Sequence, residues 1–109
     1  MSTKQSTIDY LLGQINTAGE VSARKMFGEY GVYCDGRVIA LVCDDQLFLK
    51  PTQAGKEYLG DVEVAPPYPG GKDWFLIPED QWEDAAWLTE LIRLMTPEIP
   101  LPAKKKGKK

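Results

Sequence analysis

The stretch Ala23-Arg24-Lys25-Met26-Phe27-Gly28-Glu29-Tyr30-Gly31-Val32-Tyr33-Cys34-Asp35-Gly36-Arg37-Val38-Ile39-Ala40-Leu41-Val42-Cys43-Asp44-Asp45-Gln46-Leu47-Phe48-Leu49-Lys50-Pro51 decides the fold. Asp35-Gly36 between two apolar runs is a strong two-residue hairpin signal, because both central residues of such a turn need a positive φ. It predicts strands over Tyr30–Cys34 and Val38–Cys43, with Arg24–Phe27 as a strand before them. Asp44-Asp45 makes a second tight reversal into Leu47–Lys50, and Pro51 closes that strand because it cannot continue a ladder. Strands joined by turns this short are antiparallel. Val38–Cys43 is apolar at every position, which suits a central strand covered on both faces.

Helices flank this meander. Ile8, Leu11, Leu12 and Ile15 recur at helical spacing and predict a helix over 7–18, capped by Ser6 or Thr7 and ended by Gly19. Thr52 caps a short helix over Gln53–Leu59, which Gly60 ends. Val62–Ala65 reads as a brief edge strand, and Trp74–Ile77 as a last strand stopped by Pro78. The final helix enters at Asp80 or Asp84, carries a stripe of Trp87, Leu88, Leu91, Ile92 and Met95, and stops at Pro97. The expected fold is α+β in two layers, an antiparallel sheet with helices packed on one side, in the order α-β-β-β-α-β(β)-α. One domain is expected over 1–97, followed by a Pro/Lys-rich disordered tail over 98–109.

Composition narrows the chemistry. The chain has 109 residues, 43% hydrophobic and 27% charged, which accommodates one core of ordinary globular character. No apolar run approaches the roughly 20 residues that span a bilayer. No apolar segment follows the N-terminal Met-Ser-Thr-Lys-Gln-Ser, so the expected location is the cytoplasm. The net charge of −3 conceals an asymmetry: with five of the 13 basic residues in the last six positions, residues 1–103 hold 8 basic against 16 acidic ones, a net −8. An acidic body argues against nucleic-acid binding across the whole domain, which rests on clustered Lys and Arg. The chain has no histidine, which removes the usual general base near neutral pH, the Ser-His and Cys-His pairs and the commonest transition-metal ligand.

The remaining motifs have structural explanations. A two-residue hairpin at Asp35-Gly36 sets Cys34 opposite Arg37 and Cys43 opposite Gly28. The two sulfurs then lie roughly 20 Å apart at about 3.3 Å per residue, beyond disulfide reach. Two free thiols are expected. Gly28, Gly31 and Gly36 lie within and between strands, not between a strand and a helix where a phosphate-cradling loop needs them. Asp44-Asp45 and Glu79, Asp80, Glu83, Asp84 lack the ligand spacing of a calcium loop and suit a turn and a helix start. No catalytic, cofactor-binding or metal-binding residue is assigned.

The candidate partner-binding residues are few. Arg24, Lys25 and Lys50 form a candidate basic patch near the sheet edge, with Tyr30, Tyr33 and Phe48 as nearby aromatics able to stack bases. Tyr68, within Pro66-Pro67-Tyr68-Pro69, could belong to an exposed docking element. Lys104, Lys105, Lys106, Lys108 and Lys109 would attract nucleic acid or an acidic partner, weakly and with strong salt dependence.

The run Arg24-Lys25-Met26-Phe27-Gly28-Glu29-Tyr30-Gly31, followed by Asp35-Gly36 and by Leu47-Phe48-Leu49-Lys50-Pro51, resembles the N-terminal domain of the TfoX/Sxy family. Pro67-Tyr68-Pro69-Gly70 and Ile77-Pro78-Glu79-Asp80 look like its small single-domain members, so the resemblance is to a member carrying the N-terminal domain alone and spans roughly residues 8–97. It implies a two-layer α+β fold, no enzymatic activity and no cofactor. It also implies a role in gene regulation, since competence-regulator members are positive co-regulators alongside the cyclic-AMP receptor protein. The expected function is a non-enzymatic regulatory module acting on a protein partner in the transcription machinery. The alternative is direct, weak nucleic-acid binding through the lysine tail and the small basic patch. No membrane partner is expected, and an exposed strand edge would allow a homodimer.

Overall fold

The structure, a computed structural model, describes residues 4–26, 29–67 and 69–99. It is an α+β fold: helix α1 (Gln5–Ile15), strands β1 (Val21–Met26), β2 (Glu29–Cys34), β3 (Arg37–Cys43) and β4 (Gln46–Leu49), helix α2 (Gln53–Leu59), strands β5 (Val64–Ala65) and β6 (Trp74–Ile77), and helix α3 (Ala85–Met95). Single 3-10 turns precede and follow α3, at Glu79–Glu83 and Thr96–Glu98. Four strands precede α2, matching the four read from the sequence between Arg24 and Lys50, although the order α-β-β-β-α-β(β)-α counts only three there. The strands form one antiparallel six-stranded sheet in the order β1-β2-β3-β4-β6-β5.

Both predicted reversals are present, and each has two positive φ values. Asp35 and Gly36 stand at 52° and 83°, Asp44 and Asp45 at 56° and 61°. These are mirror-image turns whose twist matches the flanking strands. Aspartate tolerates the left-handed region better than most residues because its short side chain bonds locally. The Asp35 side chain bonds at long range instead, its Oδ1 accepting from the amide of Glu20, 15 positions earlier, at 2.9 Å.

The register departs from simple hairpin arithmetic. Cys34 faces Arg37 and Tyr33 faces Val38, but Val32 faces Ala40, so Ile39 is the extra residue of a bulge. Ile39 turns into the core instead of staying in the ladder's alternation. With Tyr30 opposite Val42, the neighbour of Cys43 is Glu29 and not Gly28. Both cysteines are free.

Helix α1 starts and stops earlier than expected. Lys4 occupies its cap position without a side-chain bond, and neither Ser6 nor Thr7 caps it. The β3–β4 turn supplies the missing acceptor: Asp45 Oδ1 accepts from the Lys4 amide at 3.0 Å and the Thr7 hydroxyl at 2.9 Å. Gly19 lies past the helix end, and its role is close approach. A Cβ there would meet Cys34 Sγ at 2.9 Å and the Asp35 carboxylate at 3.0 Å. Helix α2 matches its prediction at both ends, with Thr52 Oγ1 accepting from the Gly55 amide and Gly60 closing it at φ 69°. Asp84 caps α3, accepting from the Trp87 amide at 3.1 Å.

One face of the sheet packs against the helices. Ile8, Leu11 and Ile15 of α1 and Leu88, Leu91, Ile92 and Met95 of α3 bury against Val32, Ala40, Val42, Leu47, Leu49 and Ile77. Trp82, in the turn before α3, is also fully buried, its indole nitrogen donating to the Ile77 carbonyl at 3.2 Å. Gln14 ties the helical layer together: its Nε2 donates to the Trp82 carbonyl and its own carbonyl accepts from the Thr89 hydroxyl.

The folded body continues beyond Pro97. Ile99 is only 2% exposed, and its carbonyl accepts from Arg37 Nε at 2.7 Å. The Glu98 carboxylate accepts from the Gln53 and Ala54 amides at 2.8 and 2.7 Å, binding the first turn of α2. The expected boundary at 97 thus falls two residues short, because proline ends an α-helix without ending its packing.

Candidate interaction surface on the helix-free face

Period-two alternation assigns the other face of the sheet. Since Val32, Ala40, Val42, Leu47, Leu49, Phe75 and Ile77 point toward the helices, their neighbours point away. The ladder aligns Arg24 with Gly31, Gly31 with Leu41, Leu41 with Phe48, and Phe48 with Leu76. A continuous cross-strand row thus runs over five strands, with no helix of the described residues packed over its middle. Tyr33 and Val38 pair in the adjoining row. Leu41, Val38, Tyr33, Trp74 and Leu76 are all partly exposed.

Phe48 is the exception in this row, at 4% exposure. Pro66, Pro67 and Pro69 lie over this part of the sheet and, with Phe48, Cys43 and Gln46, line a cavity of about 540 Å³ whose acidic side is Glu29 and Asp44. Proline suits this task, since it covers a sheet without presenting an amide that needs a partner. The surface therefore has an apolar middle, carboxylates at the β3–β4 turn end, and Arg24 toward the β1 edge.

The predicted basic residues do not form one patch. Arg24 is exposed on the helix-free face, with its guanidinium carbon 5.6 Å from the centre of the Tyr33 ring. Lys25 is exposed but pairs with the core-facing Tyr30, and so sits on the opposite face of β1. Lys50 follows β4, three strands from β1, which is roughly 14 Å at about 4.8 Å per strand. Adjacent sequence positions in a strand separate to opposite faces, and this splits Arg24 from Lys25. Of the three aromatics, Tyr30 is in the core with its hydroxyl donating to Gln5 Oε1, Phe48 is buried, and only Tyr33 stays partly open beneath Arg24. Tyr68, Lys104, Lys105, Lys106, Lys108 and Lys109 lie outside the described residues.

The cysteines are held as thiols. Burial pushes Cys43 up to about 11, helped by the charges of Glu29 and Asp44. Burial also raises Cys34, opposed by a hydrogen bond with the Thr96 side chain. Among the described residues no group of three or more Cys, Asp or Glu is placed to hold a metal ion, and no helix is long and apolar enough to cross a membrane.

The apolar row was hidden in the sequence because Val38–Cys43 reads as a strand buried on both faces. The structure buries one face under helices and leaves most of the other open. The signal that could have found it is the pairing of Leu41 with Phe48 and Leu76, which becomes legible only once the strand order is known.

The TfoX N-terminal domain matches residues 13–96. A protein of Spirochaeta aurantia, described as an uncharacterized 12.7 kDa protein in the trpE 5' region, is 35% identical over 108 residues, covering 99% of this chain and 93% of its own length. The chain belongs to the TfoX N-terminal domain family.

Proposed function

We propose that this domain is a non-enzymatic regulatory module of the bacterial cytoplasm, a transcription co-regulator that works by protein contact through the helix-free face of its sheet. The observation that carries this reading is the row Leu41–Phe48–Leu76, apolar side chains aligned across three strands on a face that no helix covers. Apolar surface rimmed by polar residues is the mark of a protein contact site. Tyr33 and Arg24 beside the row are residue types that dominate contact energies. The resemblance to competence co-regulators supports the same reading from the sequence side.

The test places a photo-crosslinking amino acid at Leu41 of the full chain in cells, with one at Asp9 on α1 as control. Crosslinks to a transcription factor or RNA polymerase from position 41, absent from position 9, are expected. Crosslinks only to metabolic enzymes would overturn the reading. DNA binding by the purified chain that survives Leu41→Asp would instead favour direct nucleic-acid recognition.

A further inference from the structure

A second surface lies at the β5–β6 end of the sheet, and Leu76 belongs both to it and to the row described above. Between the C-terminal end of α2, β6 and the turn at Glu79–Glu83 runs a groove of about 350 Å³. Its floor is apolar, from Leu59, Val62, Leu76, Pro78 and Trp87, and its rim is Asp61, Glu63 and Asp80. Past Glu63 and Pro78 it continues along Glu79 into a second hollow of about 240 Å³. Among the described residues, no lysine or arginine lines either part. Asp61, Glu63, Glu79 and Asp80 have no ion-pair partner among the described residues. An apolar groove whose rim carries one sign of charge focuses its field on an approaching cation.

We propose that this groove is the docking surface for the chain's own lysine segment, residues 104–109. Charge is the first argument: five lysines stand in that segment, against a body with a net −8. Length is the second. Glu98 is fixed on the first amides of α2, and the groove opens at the other end of the same helix, at Leu59 and Asp61. Seven helical residues span about 10 Å at 1.5 Å each. Lys104 is five residues beyond Ile99, the last residue the body holds, and has a reach of roughly 17 Å. The apolar spacer Pro100–Ala103 is therefore long enough to pass along α2 and deliver the lysines to the acids. The third argument is tethering, since a short linker holds its end at an effective concentration of about millimolar. Weak, screened attractions suffice under those conditions. Lysines engaged in this way are withheld from phosphate, so a polyanion has to strip them from the groove before it can use them.

The test compares backbone amide spectra of the full chain with those of a variant carrying Lys104→Gln, Lys105→Gln, Lys106→Gln, Lys108→Gln and Lys109→Gln. At an ionic strength of about 0.01 M, where the Debye length is roughly 30 Å, the expected result is a shift confined to Asp61, Val62, Glu63, Leu76 and Trp87. In about 0.5 M salt, where screening is nearly complete, the two spectra should converge. Asp61→Asn, Glu63→Gln and Asp80→Asn, combined in the full chain, should remove the low-salt difference from the other side. Identical spectra at the groove would overturn the proposal, as would equal shifts at Asp9 and Glu20. A difference that grows with protein concentration would overturn docking in cis and assign the groove to the segment of a second copy.

Discussion

Asp45 Oδ1 lies 3.0 Å from the backbone nitrogen of Lys4, so a turn residue caps a helix 41 positions earlier in the chain. The Thr7 hydroxyl donates to the same oxygen. These hydrogen bonds, the backbone one foremost, hold the Asp45 carboxyl below its ordinary value. A depressed folded-state pKa contributes stability that is present above the unfolded value of about 4 and is lost as pH falls through the folded one. Asp45→Asn keeps the turn and an acceptor oxygen but removes the charge. Urea unfolding should show a loss below about 1 kcal/mol near neutral pH, with the two proteins converging as the medium is acidified. A difference that widens in acid would contradict this assignment.

Glu98 caps α2 from outside the helix, each carboxylate oxygen taking one of the first two amides. Glu98→Ala leaves both donors to water and should cost about 1 kcal/mol. Added salt should shrink the difference, because the carboxylate is exposed. The midpoint of urea unfolding followed by tryptophan fluorescence reads it, and an unchanged midpoint would show that Thr52 alone caps the helix.

Two glycines make a matched pair. At Gly19 an added methyl meets Cys34 Sγ at 2.9 Å, and Cys34 is buried and cannot swing aside. Gly19→Ala should therefore cost about 1–3 kcal/mol. At Gly13, inside α1, the methyl meets nothing within 4 Å. Gly13→Ala should raise stability by about 0.5–1 kcal/mol. Thermal unfolding of both variants checks the contrast in sign.

Cys43 is partly exposed yet should react slowly with iodoacetamide at neutral pH, because its thiol is pushed up to about 11. Its labelling rate should climb with pH toward that value, as thiolate is the reacting form. Glu29→Gln removes one of the charges that raise it, and should speed labelling below that pH. A rate that is flat with pH would show that access, not ionisation, governs the site.

Much of the fold was legible because turn chemistry is local. Asp35-Gly36, Asp44-Asp45, Thr52 and Gly60 each announce a reversal or a cap through their own backbone requirements, and the structure uses all of them. The two ends of α1 were not legible, since its cap comes from Asp45, which no local pattern can reveal. The bulge at Ile39 was also hidden, because a run of uniformly apolar residues carries no alternation to mark the slip. The candidate surface suffered twice. Arg24 and Lys25 look like one patch in sequence and lie on opposite faces in the strand. Leu41, Phe48 and Leu76 look like core and form a row on the helix-free side.

The hold of residues 98 and 99 on the rest has a consequence for how the protein is made. Arg37 waits 62 residues for the carbonyl of Ile99, and Gln53 waits 45 for the carboxylate of Glu98. On a ribosome the β2–β3–β4 meander can pair as soon as it emerges, but both partners arrive only with nearly the last of the folded body. Until then the first turn of α2 and the tip of the β2–β3 hairpin stay unfastened. A released chain ending at Pro97 is therefore expected to be a better protease substrate than the full chain.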